Sequence, residues 1–474
     1  MFSSFSALSG RGRAAAARLA AATMVSGLAM TGALVGAGTA VADGTPQQQG
    51  GATATIGGLK TYGAAVVHGD DGDEQISAGL FEMSVDNGGT LQTYCVDLHN
   101  PTQKDAKYQE TSWSGTSLGG NKDAGRIRWI LQNSYPQVND LAALADRAGA
   151  AGLTEQDAAA GTQVAIWRYS DGADVDAVDP AAEKLADYLE KSAENLAEPE
   201  ASLTLDPPAV SGHPGERLGP VTVHTDADSV TVIPPADAAT SGVRVVDQDG
   251  RAVTSAVDGG QVFFQVPEDA PDGSAALSVQ ASTSVPVGRA FTSDSRSQTQ
   301  ILAGSSESTV SATATANWAA TGPVPALSAQ KNCAENGVDI TAANKGDEAF
   351  TFQLMGFEHT IEAGESRTVT IPLQEDQPYD FTIQGPNAFE QRFTGVLDCE
   401  TQGAATGDSV QTLSEPSPAL AGDDTTAGGV NLAETGGSSA TPMIAGMAIV
   451  LLVIGGGVVL LVGKKEQHGT GAKE

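Results

Sequence analysis

Two side chains in this 474-residue chain have the types needed for acyl chemistry, and both are out of place as ordinary residues. Cys95 is the odd member of three cysteines, the others being Cys333 and Cys399. Gln163 stands inside the apolar stretch GTQVAIWRYSDG, residues 161 to 172. At helical spacings of three and four its neighbours are Ala159, Ala160, Ile166 and Trp167, all apolar. A buried primary amide must find hydrogen-bond partners or cost about 1–3 kcal/mol. A thiol held beside a glutamine carboxamide can expel ammonia and form a thioester. That one product leaves neither a free thiol nor an amide needing partners. Read singly, a cysteine is often a small buried residue, and a buried amide usually finds its partners.

The elements that must position this pair are a strand and a helix. AGLFEMSV and TLQTYCVDL flank Asn87-Gly88-Gly89, which is turn chemistry, so Cys95 lies on a strand. Alternation puts Thr93 and Asp97 on its face, with Tyr94 and Val96 on the other. Thr154 followed by Asp157 is a capping-box pattern, and Gly172 suits a left-handed C-cap, so Gln163 lies on a helix over 154–170. DAGRIRWILQNS and PAAEKLADYLEKSAENL, the latter opening at Pro180, add further helices. Residues 43–200 therefore read as an α+β module.

Beyond it the pattern changes. Residues 201–322 carry short β-branched runs punctuated by Gly, Pro and Asp, as in a β-sandwich spacer. Residues 323–400 repeat the style as a smaller Ig-like sandwich, with Cys333 and Cys399 at its two ends. A disulfide between them would staple a domain of marginal size, which is what leaves Cys95 odd. No lysine occurs from Ser202 to Thr321, which excludes an internal Lys–Asn isopeptide bond there. Residues 401–431 are a biased, aperiodic stretch that reads as a disordered stalk.

The two ends carry addresses. Residues 1–42 read as a signal peptide: Arg11, Arg13 and Arg18, an apolar run, then Ala40-Val41-Ala42. In residues 432–474, Leu432-Ala433-Glu434-Thr435-Gly436 resembles the L-P-x-T-G sorting signal of Gram-positive surface proteins, with Ala for Pro. This variant is similar to the one read by a sortase class of high-GC actinobacteria. An uncharged apolar run, 443–463, follows as a transmembrane helix, with Lys464 and Lys465 behind it. The resemblance implies cleavage between Thr435 and Gly436 by a sortase and attachment of Thr435 to peptidoglycan. The chain would then touch the membrane only before that cleavage. Losing three arginines from the leader, and three lysines with two glutamates from the tail, takes the formal charge from −33 to −37. So acidic a surface argues against nucleic acid as partner.

Around the reactive pair the sequence resembles the thioester domains of Gram-positive surface adhesins, over roughly residues 53–198. The aromatic-Cys-aliphatic-Asp segment stands as Tyr94-Cys95-Val96-Asp97, and T-Q-x-A-I-W as Thr162-Gln163-Val164-Ala165-Ile166-Trp167. Val96 replaces the Ile the family often has. The resemblance implies an internal Cys95–Gln163 thioester, attacked by an amine such as a lysine on a target surface. Attachment is then a covalent amide, made once per molecule and without a cofactor, so the protein is not an enzyme in the usual sense. Tyr94 and Trp167 would exclude water, Asp97 would steer the amine or take its proton, and Thr162 would help position the bond. For each, a plain structural role stays open. Two other functions stay open as well. One is a non-covalent adhesin or structural surface protein. The other is a cysteine hydrolase or transglutaminase-like enzyme using Cys95, Asp97, His99 and Gln163, although such nucleophiles usually sit at a helix N-terminus. The remaining histidines show no metal-ligand spacing, and Asp70-Asp71-Gly72-Asp73-Glu74 lacks that of a calcium loop, so no metal is expected.

Overall fold

The computed structural model describes residues 50–401 apart from 71, 387 and 388. The expected leader, the stalk, and the sorting signal with Thr435 and Gly436 lie outside the described residues. No described helix is long and apolar enough to cross a membrane, and the segment 443–463 lies outside them too.

The chain is mostly β, with its few α-helices concentrated before residue 193. It opens with a long antiparallel pair, β1 (Thr53–Gly69) and β2 (Gly72–Val85). The turn that follows holds Asn87 at φ 68° and Gly88 at φ 119°, so the Asn-Gly-Gly chemistry reverses the chain as expected. Then come β3 (Thr90–Cys95) and β4 (Lys107–Thr111), and a short β5 (Val175–Ala177) after the helices. β3 ends at Cys95, short of the expected Leu98. Asp97 accepts hydrogen bonds from the backbone N–H of His99 (3.1 Å) and Asn100 (3.2 Å), a local turn that competes with the ladder.

This sheet contains two strands that the sequence pattern assigns to the middle sandwich. Its order is β2, β3, Gln300–Ser305, Ala290–Ser293, β4, β1, β5, and β1 also pairs with β2, so the strands close on themselves. The inserted pair is the far end of a long hairpin. Its arms Gly273–Ser284 and Glu307–Trp318 pair with each other along their whole length in a five-stranded sheet. A four-stranded sheet, including Arg217–Thr225 and Gln261–Gln265, stands beside it. One continuous apolar core runs from Ala52 to Trp318 through both expected domains. Residues 43–200 are thus not an isolated α+β unit, because the hairpin end is buried within their sheet and completes its hydrogen bonding.

Glu110, at the end of β4, fastens the parts. Its carboxylate accepts from Ala52 N (3.1 Å), Ser202 N (3.0 Å), Ser202 Oγ and Arg289 Nε (2.9 Å). Those donors come from the first strand's approach, the link after the helices and the start of the hairpin's far end.

Four helices cover one side: α1 (Ala124–Asn133), α2 (Leu141–Ala148), α3 (Glu155–Ser170) and α4 (Pro180–Ser192). The sequence pattern does not announce α2, although Asp140 caps it and Gly149 ends it in the left-handed conformation. α3 lies between β1 and β2 on one side and α4 on the other. Ala158 through Trp167 are all buried, as a helix apolar on every face requires. Gly161 permits this, since a Cβ there would stand 2.4 Å from the Ala182 carbonyl of α4.

The last sandwich has its own core, from Leu327 to Cys399. The Cys333–Cys399 disulfide closes it, with 5.2 Å between Cα atoms.

Candidate functional site

α3 is set in place at both ends of its path past β3. Its capping box is formed as expected, Thr154 accepting from Asp157 N while the Asp157 carboxylate accepts from Thr154 N. At its C-terminus Asp171 accepts from Leu98 N at 2.9 Å, tying the helix to the turn after Cys95. Between these points Gln163 meets Cys95. Gln163 Oε1 accepts from Cys95 N at 3.0 Å, and Gln163 Nε2 donates to Cys95 O at 3.0 Å. Gln163 is fully buried and Cys95 is 1% exposed. The amide thus finds both partners on the very residue whose thiol could displace its nitrogen, 68 positions away in sequence. Cys95 itself is unbonded to another cysteine.

The surroundings strongly oppose a free thiolate. Burial pushes the Cys95 thiol far above its ordinary range, and the nearby carboxylates of Asp171 and Asp97 push the same way. Asp97 is 2% exposed, and burial, with the charges of Asp171 and Asp398 adding, raises its carboxyl to about 8. Burial likewise raises Asp171 to about 7. Burial lowers the His99 imidazole, so that side chain stays neutral around pH 7.

The other residues singled out from sequence surround the pair. Tyr94 is fully buried and donates its hydroxyl to Tyr135 O at 2.9 Å. Thr162 is buried and donates back to Ala158 O at 2.7 Å, bonding along its own helix. Trp167 is 1% exposed, and its indole N–H has no hydrogen-bond partner.

Three residues that the motifs pass over belong here. Asp171 is described above. Asp398, just before Cys399, accepts from Thr299 Oγ1 at 3.1 Å and so brings the last sandwich against the site. Gln300 lies in register directly opposite Cys95. The signal for Gln300 is akin to the one that singles out Gln163: a glutamine bordering an apolar run, here Ile301-Leu302-Ala303. Asp398 also lies within 4.8 Å of Glu375 and Asp376, a carboxylate group of the last sandwich without histidine or cysteine.

Two family models match parts of the chain. Residues 92–195, which hold both Cys95 and Gln163, match the thioester domain family model. Residues 322–396 match the C-terminal domain of bacterial phospholipase C. Among solved structures, the Bacillus anthracis TIE protein aligns at 15% identity over 73% of this chain and 64% of its own, TM-score 0.27. This chain thus spans somewhat less than two thirds of that relative. The thioester domain of the Enterococcus faecium TIE86 protein aligns at 16% identity over 59% of this chain and 99% of its own, TM-score 0.26. The E. coli chaperone DraB follows at 14% identity over 41% of this chain and 98% of its own, TM-score 0.15. No curated protein matches the sequence.

Proposed function

Since residues 92–195 carry a thioester domain, we propose that this chain is a surface adhesin that attaches covalently to an amine-bearing target. Cys95 Sγ and the Gln163 carboxamide condense with loss of ammonia to a thioester. An incoming amine nitrogen then attacks the Gln163 acyl carbon. The C–S bond breaks with its electron pair going to Cys95 sulfur, the amine gives up a proton, and an amide remains. A thiolate leaves far more readily than the amide ion that direct attack on a carboxamide would have to expel, so the thioester stores the reactivity that the glutamine lacks. The reaction runs once per molecule and needs no cofactor.

The single observation carrying this reading is the paired hydrogen bonding of the Gln163 amide onto the Cys95 backbone, in a site sealed from water. Burial serves the chemistry, because an exposed thioester hydrolyses. Asp97, its carboxyl raised to about 8 by burial, is the residue we assign to take the amine's proton. Anchoring at Thr435 by a sortase belongs to the same proposal and is supported by the motif, the apolar run and the basic tail in that order. It would display the domain on the outer face of a Gram-positive wall.

The test is the intact mass of the purified chain before and after methylamine. A closed thioester is lighter by one ammonia, roughly 17 Da, and methylamine then adds at Gln163. An unmodified mass with no methylamine uptake would make Gln163 an ordinary buried amide bonded to the Cys95 backbone. The protein would then be a non-covalent adhesin or a structural wall component. Anchoring is tested separately, by finding Thr435 joined to wall peptide in a cell-wall digest.

A further inference from the structure

The hairpin that completes the first sheet also delivers a side chain to the reactive pair. Gln300 pairs across the ladder with Cys95, so their side chains stand side by side on one face of the sheet. Thr93 is two residues before Cys95 and shares that face. Its hydroxyl donates to Gln300 Oε1 at 2.9 Å. With Oε1 held in this way, the amide orientation is set and Nε2 is directed away from Thr93. Gln300 is fully buried, yet its Nε2 has no hydrogen-bond partner. An orphaned buried N–H costs on the order of 1–3 kcal/mol, so its retention beside a sulfur calls for a use.

We propose that Gln300 donates its side-chain N–H to the Cys95 sulfur and stabilises that sulfur as the leaving group of the acyl transfer. When the C–S bond breaks, the electron pair arrives on a sulfur that burial, Asp97 and Asp171 all oppose as an anion. Gln300 acts the other way and holds the Cys95 thiol down. A donor held opposite the site of developing charge by the ladder and by Thr93 needs little reorganisation during the reaction. The inference rests on the thioester reading for its role in transfer. The donation itself is independent of that reading, since the same N–H would stabilise the thiolate of an unreacted Cys95.

The test compares the wild-type chain with Gln300→Met, which keeps the bulk and removes the donor. Two rates are measured: methylamine transfer by mass, and alkylation of the Cys95 thiol at fixed pH after methylamine has opened the bond. With Cys333 and Cys399 bonded to each other, Cys95 is the remaining thiol of the three cysteines. Both rates are expected to fall by roughly tenfold, as removal of a hydrogen bond to a charged group implies. A packing role alone would loosen the site and speed alkylation, so unchanged or faster alkylation overturns the proposal. If the wild type shows no ammonia deficit, the thioester reading fails. The alkylation comparison on the free thiol still decides the role of Gln300. Thr93→Val leaves the donor in place but frees the amide to rotate, and it carries the same comparison should Gln300→Met fail to fold. Slower alkylation supports the proposal, and a wild-type rate in the folded variant overturns it.

Discussion

Glu110→Ala is expected to destabilise the joint between the two halves of the first core. The Glu110 and Arg289 side chains are 1% and 6% exposed, and the carboxylate satisfies donors from three separate stretches of chain. Removing it leaves Ala52 N–H, Ser202 N–H and part of the Arg289 guanidinium buried without that acceptor. Breaking a buried ion pair from one side costs about 3–5 kcal/mol. Arg289 keeps Glu198 at 2.8 Å and the Pro199 carbonyl at 3.1 Å, which places the loss at the lower end, about 3 kcal/mol. For a folded unit at least as long as Ala52 to Trp318 that corresponds to roughly 4–6 °C in melting temperature. Because Arg289 immediately precedes the strand Ala290–Ser293 that pairs with the Gln300 strand, the fraction of molecules that take up methylamine should fall as well. Circular-dichroism melting and mass spectrometry on the same samples give both quantities. A melting shift of less than about 2 °C with full methylamine uptake would refute the reasoning, since the buried pair would then contribute no net stability.

Cys95→Ala and Gln163→Ala should each abolish both the ammonia deficit and methylamine uptake by intact mass, because each removes one half of the bond. Asp97 and Asp171 are raised to about 8 and about 7, well above unfolded carboxyls near 4. The folded state therefore binds more protons between about pH 4 and 8, and stability should decline as pH rises through that window. Asp97→Asn should reduce the difference between melting temperatures at pH 5 and pH 8, and an undiminished difference would exclude Asp97 as a source. Gly161→Ala should force α4 away from α3, because its Cβ would lie 2.4 Å from Ala182 O. An expected loss of about 1–3 kcal/mol is read by denaturant titration.

Much of the site is legible in the amino-acid sequence. The Cys95 strand, the Gln163 helix with its capping box, and the Asn-Gly-Gly turn follow from local rules, because caps and turns are satisfied by residues close in sequence. Cys333 and Cys399 are legible as a pair through their positions at the ends of the last sandwich. The end of β3 and the helix α2 depart from these local rules. In the first the Asp97 turn overrides β alternation, and in the second the helix is only eight residues long.

The sequence by itself determined which two side chains have the chemistry of a thioester, and that one belongs to a strand and the other to a helix. Only the tertiary structure decided that they meet, with the Gln163 amide on the Cys95 backbone. It also decided that residues 290–305 complete the first sheet instead of the middle sandwich. Strand pairing is a non-local choice. The segment Gln300–Ser305 has no local feature that names its partner, and it finds β3 because that edge still lacks hydrogen bonds and the apolar face behind it is open. The same non-local step places Gln300 opposite Cys95 and Asp398 against Thr299, and so sets the electrostatics of the site.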